Sequence, residues 1–247
     1  GSHIDTVRTG GRYDGNLGVL GGLEVIRTLN EAGIVTRRPL VVAAFTNEEG
    51  ARFAPDMLGS LAYVGGLALE TALATVAIDG AVLGEALAGI GYAGEAPLGA
   101  VRPHAYVELH IEQGPVLDAE GITIGAVEDL QGISWQEVAI EGQSNHAGTT
   151  PMRLRHDAGY AAAAIAAFVR ALAGEMGGAQ VGTVGAINLH PNLINVIAAR
   201  AKLTVDLRNT VEEQLQEAER RLAAFLAELA AREGVRIDAR RLARFEP

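Results

Sequence analysis

Leu40 to Phe45 is an unbroken apolar run, followed directly by Thr46-Asn47-Glu48-Glu49-Gly50. Continuous apolar character over a short segment fits a strand buried on both faces, the kind that parallel sheets flanked by helices require. The preceding segment supplies such a helix. Asp14-Gly15 leads into Val19, Leu20, Leu23 and Ile26 on one helical face, Gly33 ends the pattern, and Pro39 sits in the connecting loop. Helix then buried strand predicts α/β architecture with some parallel pairing. Residues 57–100, rich in Gly, Ala and Leu, read as helix and loop, and Tyr106–Ile111 and Ile122–Val127 as further core strands.

Beyond residue 128 the pattern changes. Trp135–Ile140 alternates, as a half-exposed strand does. A helix over about Asp157–Leu172 follows, then strands near Val181–Ile187 and Ala201–Leu207. The last helix has Thr210 and Glu213 placed as a capping box and Val211, Leu215, Ala218, Leu222, Phe225 and Leu229 on one face. Gly234 stops it and Val235–Asp238 reads as a closing strand. Strand–helix–strand–strand–helix–strand is a split βαβ layer, a small α+β unit. The expected division is residues 1–127, then 128–240, with 241–247 beginning a return to the first domain.

At 247 residues the chain is long enough for two such units. With 20 Lys and Arg against 30 Asp and Glu, the net charge is −10, and no basic stripe is present. Grip on the nucleic-acid backbone needs clustered positive charge, so no such partner is expected. No apolar stretch approaches the roughly 20 residues of a membrane span. The absence of cysteine excludes disulfides, thiolate metal sites and cysteine nucleophiles, and fits a reducing, cytoplasmic setting.

Four polar clusters could carry chemistry. In Gly1-Ser2-His3-Ile4-Asp5-Thr6 a strand-end His could ligate a metal while Asp5 fixes its ring, or it could be a surface residue in an expression scar. Asp14, in Tyr13-Asp14-Gly15, is placed either to cap a helix or to bind a cation. Glu48 and Glu49 stand where open α/β sheets build their sites. Two adjacent acids there are costly to desolvate without a compensating cation, although a solvated acidic turn would look the same. Adjacent side chains diverge, so one carboxylate could serve a metal and the other a water. The fourth cluster, Glu108-Leu109-His110-Ile111-Glu112-Gln113-Gly114-Pro115, puts His110 at another strand end. Oxygen and nitrogen ligands without sulfur point toward a zinc- or manganese-type site.

Together Gly1–Thr6, Gly11–Gly15, Thr46–Phe53, His110–Pro115 and Gly142–Met152 resemble the M20-type metallohydrolases, and most closely their hydantoinase/carbamoylase branch. His-Ile-Glu-Gln-Gly-Pro and Gln-Ser-Asn-His-Ala-Gly-Thr-Thr-Pro are specific to that branch, and the resemblance spans essentially the whole chain. It also makes His3 a native residue. It implies a mixed-sheet catalytic domain with an inserted lid and dimerisation domain, hence a homodimer, and two divalent ions: zinc or manganese, with cobalt or nickel as alternatives. His3 and His110 would bind one metal, Asp14 bridge the two, and Glu49 bind the second. Glu48 would be the general base, Asp5 would orient His3, and Gln113, His146, Asn195 and Arg208 would meet a small substrate. The implied reaction is C–N hydrolysis of N-carbamoyl-L-amino acids. Alternatives are an allantoate amidohydrolase or β-ureidopropionase, an M20 peptidase or deacylase, and an inactive dimerising or binding module. Family members carry a segment before the His-x-Asp strand and a return segment bearing the last His ligand. The resemblance therefore implies an incomplete catalytic domain in these residues.

The chemistry is coherent without the family. A ureido carbonyl is a poor electrophile that needs Lewis-acid polarisation and an activated water. Glu48 could move the water's proton to the leaving nitrogen, His146 could stabilise an oxyanion, and Arg208 offers a planar fork for a carboxylate. His104, His156 and His190 match no motif and read as surface or structural.

Overall fold

Strand pairing in the first part of the chain is brief. The structure, a computed structural model, describes residues 1–247. It divides into two units, Gly1–Gly125 and Ala126–Pro247. In the first, β1 (Ser2–His3) pairs in parallel with β2 (Ala44–Phe45), with α1 (Asn16–Glu31) between them in sequence. Short helices α2 (Leu58–Tyr63), α3 (Leu69–Leu73) and α4 (Leu83–Gly89) pack Leu58, Ala62, Ala72 and Leu83 with Phe53 and Ala77 in a small core. A last turn of helix, α5, spans Val116–Glu120.

Three expected strands change in this unit. Of Leu40–Phe45 only Ala44–Phe45 joins a ladder, and Val41 is 65% exposed rather than buried on both faces. A strand exists only as far as a neighbour accepts its hydrogen bonds, and β1 offers two residues. Tyr106–Ile111 and Ile122–Val127 form no strand at all. Val107 is 80% and Val127 81% exposed, so their apolar character leads to no ladder.

In the second unit β3 (Gly132–Glu141), α6 (Ala158–Met176), β4 (Val181–His190), β5 (Arg200–Asn209), α7 (Glu212–Glu233) and β6 (Arg236–Phe245) build an antiparallel sheet in the order β4-β5-β3-β6. This is the split βαβ layer, with both helices against one sheet face. Register follows burial. Val138 and Ile140 on β3 and Leu203, Val205 and Leu207 on β5 face Ile165, Val169 and Leu172 of α6 and Leu215, Leu222 and Leu229 of α7. Fully burying such a side chain contributes about 1.5–3 kcal/mol, so this layer is the stable part of the molecule.

The helix ends show how tertiary contacts choose among local signals. Asp157 caps α6, accepting from the backbone N–H groups of Gly159 (2.8 Å) and Tyr160 (3.0 Å). The capping box expected at Thr210 and Glu213 does not form. Helix α7 starts after Val211, whose N–H donates to Asn209 Oδ1 at 3.0 Å, and buried Asn209 is itself held by Gln180. Gly234, at φ +61°, ends the helix as expected. Strand β6 runs well past Asp238, through residues expected to leave the unit, because β3 presents a full-length free edge.

Candidate metal centre

Chain reversals bring the expected residues of the first unit together. Asp14, Gly15 and Asn16 form a γ-turn in which Asn16 N–H donates to the Asp14 carbonyl at 2.8 Å. Gly15 takes φ +69° and ψ −50°, the strained form of this turn. A Cβ on Gly15 would lie less than 3.0 Å from Cγ, Nδ1 and Cε1 of His3, so glycine is required twice over, for conformation and for space. The turn also decides the role of Asp14. Its side chain makes no cap to α1; it is 8% exposed and turned toward the imidazoles.

Both imidazoles are set in one tautomer. His3 Nδ1 lies 2.9 Å from the Asp5 carbonyl and His110 Nδ1 2.7 Å from the Ile111 carbonyl. A carbonyl only accepts, so Nδ1 carries the proton and Nε2 presents a lone pair. His110 Nε2 stands 3.1 Å and His3 Nε2 3.8 Å from Asp14 Oδ1, which is buried and has no hydrogen-bond donor. Three electron-rich atoms therefore converge on one point, which is unfavourable without a cation or proton among them. The residues fit a divalent ion held by nitrogen and oxygen.

Glu48 and Glu49 complete a second group around His3. Asn47 (φ +54°) and Gly50 (φ +61°) fold the Thr46–Gly50 segment back on itself. As a result the two adjacent carboxylates do not part company: one oxygen of each lies within 4.8 Å of the other and of a His3 nitrogen. Glu48 Oε2 is 3.6 Å from His3 Nε2, and Glu49 Oε1 is buried without a partner. Burial pushes both carboxyls above the usual range. Nearby Glu49 and Asp5 add to this for Glu48 while His3 opposes it, and Asp14 adds to it for Glu49.

Asp5 differs from its expected geometry. Its backbone carbonyl, not its carboxylate, takes the His3 Nδ1 proton; the carboxylate is 3.6 Å away. The carboxylate instead accepts the backbone N–H groups of Glu48 (3.1 Å) and Glu49 (3.0 Å), fastening the acidic turn to β1. Gln113 Nε2 donates to Asp14 Oδ2 at 2.7 Å, which fixes the rotation of that carboxylate.

His146, Asn195 and Arg208 belong to the second unit. The first two lie on segments that pair with each other: Ala147 N–H donates to the Asn195 carbonyl and Ile197 N–H to the Asn145 carbonyl, both at 2.9 Å. Arg208 is on the sheet face away from the helices. Its Nε and Nη2 bind the Asp206 carboxylate at 2.9–3.1 Å, and its guanidinium lies 5.9 Å from the centre of the Trp135 ring. The sequence offers Asp206 or Glu212 as an ion-pair partner for Arg208, and Asp206 is the one that pairs; Gly15 and Trp135 escaped the sequence reading as site residues. Only Gly15 left a signal, as a glycine at a helix start. His156, read as structural, binds the Glu233 carbonyl at the end of α7 (3.1 Å).

An α/β unit that gathers imidazoles and carboxylates around an uncompensated buried oxygen, joined in sequence to a split βαβ unit, offers a donor set that fits a divalent cation. The chain belongs to the peptidase family M20/M25/M40, whose sequence profile matches residues 1–241. It is 43% identical, over its whole length, to an N-carbamoyl-L-amino-acid amidohydrolase of Rhizobium meliloti, covering 59% of that protein. It is 39% identical over 90% of its length to a ureidoglycolate hydrolase of Arabidopsis thaliana, covering 50% of it. A crystal structure of a hydantoinase/carbamoylase family amidase from Burkholderia multivorans superposes with a TM-score of 0.95 at 44% identity. All of this chain and 60% of that one are covered. The chain thus spans about three fifths of the length of the first of these relatives.

Proposed function

We propose that this chain carries the metal-binding and substrate-binding residues of an amidohydrolase that cleaves the C–N bond of N-carbamoyl-L-amino acids. The observation that carries the reading is the convergence of His3 Nε2, His110 Nε2 and unpartnered Asp14 Oδ1. The 43% identity to a carbamoyl-amino-acid amidohydrolase supplies the substrate class. Two divalent ions, zinc or manganese, would be held here, one by His3 and His110 and the other by Glu49, with Asp14 shared between them. When bound, such ions polarise the scissile carbonyl and acidify water.

The side chains supply the rest. Glu48 takes the proton from the attacking water and returns it to the departing nitrogen; a carboxyl pushed up by burial is better matched to that task near neutrality. Gln113 and Asp5 hold Asp14 and the acidic turn in place. His146 donates to the oxyanion, and Arg208 with Asn195 receives the substrate carboxylate, which for Arg208 means replacing Asp206 in its fork. The second unit would act as a lid and dimerisation domain, consistent with apolar Val181 and Ile187 exposed on edge strand β4. No helix is long and apolar enough to cross a membrane.

The test is metal analysis of the full-length protein with assays on N-carbamoyl-L-methionine, N-carbamoyl-β-alanine and allantoate in added manganese. Turnover of the first above the others is expected. Preference for allantoate would favour a ureide reading, in line with the plant ureidoglycolate hydrolase. Peptide cleavage alone, or metal binding without any turnover, would overturn the proposal.

A further inference from the structure

We infer that Arg155 is a positioning residue for His146, bracing a turn whose Gly148 N–H holds the imidazole as the Nε2–H tautomer. The inference rests on the role proposed above for His146. Gly148 N–H donates to His146 Nδ1 at 3.0 Å. A backbone N–H can only donate, so Nδ1 must be the acceptor nitrogen and the neutral ring's proton must sit on Nε2. This is the opposite arrangement from His3 and His110, whose Nδ1 atoms face carbonyls. One chain therefore sets two histidines to offer a lone pair from Nε2 and a third to offer a proton from it. The first pair suits a cation, the third an oxyanion.

The tautomer depends on the turn keeping its shape, and four contacts hold it. The His146 carbonyl accepts from Thr150 Oγ1 (2.8 Å) and Thr150 N–H (3.2 Å). Arg155 then closes the turn from beneath, Nη2 donating to the Ala147 carbonyl at 2.6 Å and Nε to the Thr150 carbonyl at 3.1 Å. Those two carbonyls bracket Gly148. Arg155 is itself delivered by the short 3₁₀ turn Met152–Leu154, its N–H donating to the Met152 carbonyl at 3.2 Å. The planar guanidinium reaches both carbonyls at once; a lysine ammonium in the same place would reach one. The guanidinium is half-buried while the His146 ring is exposed, the disposition of a support beneath a working group. The fit around the ring is close as well, since a Cβ on Gly148 would come within 3.2 Å of His146 Cε1.

The experiment is nitrogen-15 NMR of the full-length protein labelled at histidine, at about pH 8 where a free imidazole is neutral. Wild type, Arg155→Lys and Arg155→Ala are compared, with steady-state kinetics on N-carbamoyl-L-methionine. Wild-type His146 should show a protonated Nε2 and an unprotonated Nδ1. In Arg155→Ala the two tautomers should average and kcat should fall about 10–100-fold with little change in KM, because the donor acts on the transition state. Arg155→Lys should lie between, and added guanidinium should partly restore the Arg155→Ala variant. A wild-type His146 protonated on Nδ1 would overturn the assignment. So would an Arg155→Ala protein that keeps both the wild-type tautomer and the wild-type kcat. If His146→Ala abolishes turnover while Arg155→Ala keeps both the wild-type tautomer and the wild-type kcat, the amidohydrolase reading stands and this inference fails. If no ureido acid is turned over but the tautomer shifts in Arg155→Ala, the bracing role stands and the amidohydrolase reading fails.

Discussion

Replacing Gly15 by alanine tests the candidate metal centre through a residue that would touch neither metal nor substrate. Two costs follow from the structure. The central residue of the Asp14–Asn16 γ-turn sits at φ +69°, where a Cβ brings strain of about 1–3 kcal/mol. The new methyl would also lie less than 3.0 Å from three atoms of the His3 ring, which is 3% exposed and has little room to retreat. Overpacking of that kind costs about 1–3 kcal/mol. The first unit should therefore lose about 2–6 kcal/mol, the sum of the two ranges. Whatever part the protein relieves by turning His3 moves Nε2 away from Asp14 Oδ1, so metal affinity should fall about 10–100-fold, the usual effect of disturbing a ligand's support. Gly11→Ala is the control, since nothing lies within 4 Å of a Cβ there. Urea unfolding without metal reads the strain, and calorimetric titration with manganese reads the ligand geometry. A Gly15→Ala protein with the unfolding midpoint and metal affinity of the Gly11→Ala control would refute the argument that this turn seats His3.

Glu48→Gln should lower turnover about 10²–10⁴-fold while metal content stays near wild type; loss of metal instead would exchange the roles of Glu48 and Glu49. Asp5→Asn leaves one acceptor for two backbone N–H groups and should cost about 1–2 kcal/mol, the part-exposed carboxylate being worth less than a buried one. Melting temperature with and without metal checks this, and an unchanged value in both conditions would show that the acidic turn needs no fastening. The raised carboxyls of Glu48 and Glu49 predict a pH dependence in chelator. Their contribution to stability is fully present below the ordinary 4.5 and is lost as pH rises through the higher folded values, because the folded state holds protons that the unfolded state has released. A Glu48→Gln, Glu49→Gln double variant should lose this slope on the alkaline side of 4.5, and added divalent metal should offset it in the wild type. A wild-type slope that survives the double substitution would place its origin elsewhere.

What could be read from the chain alone was what short-range pattern encodes. The second unit was legible almost element by element, because the apolar face of α7 and the alternation of β3 each announce a buried side within one segment. The candidate ligands were legible as types, since acids and imidazoles beside apolar runs are few. Contacts between distant residues decided the rest. Tyr106–Ile111 and most of Leu40–Phe45 have strand composition, yet a strand is made by its neighbour, and no local pattern says whether one is there. Asp14 looks like a helix cap from its position; His110 and Gln113, nearly a hundred residues further on, draw its carboxylate into the cluster instead. Asp5 looks like the orienting partner of His3, two residues away, and spends its carboxylate on backbone amides more than forty residues distant. Periodicity and composition act over a few residues and fix which side of an element is buried. The aim of a charged side chain is set by which donors the folded chain brings within 3 Å or so of it, and only the tertiary structure decides that.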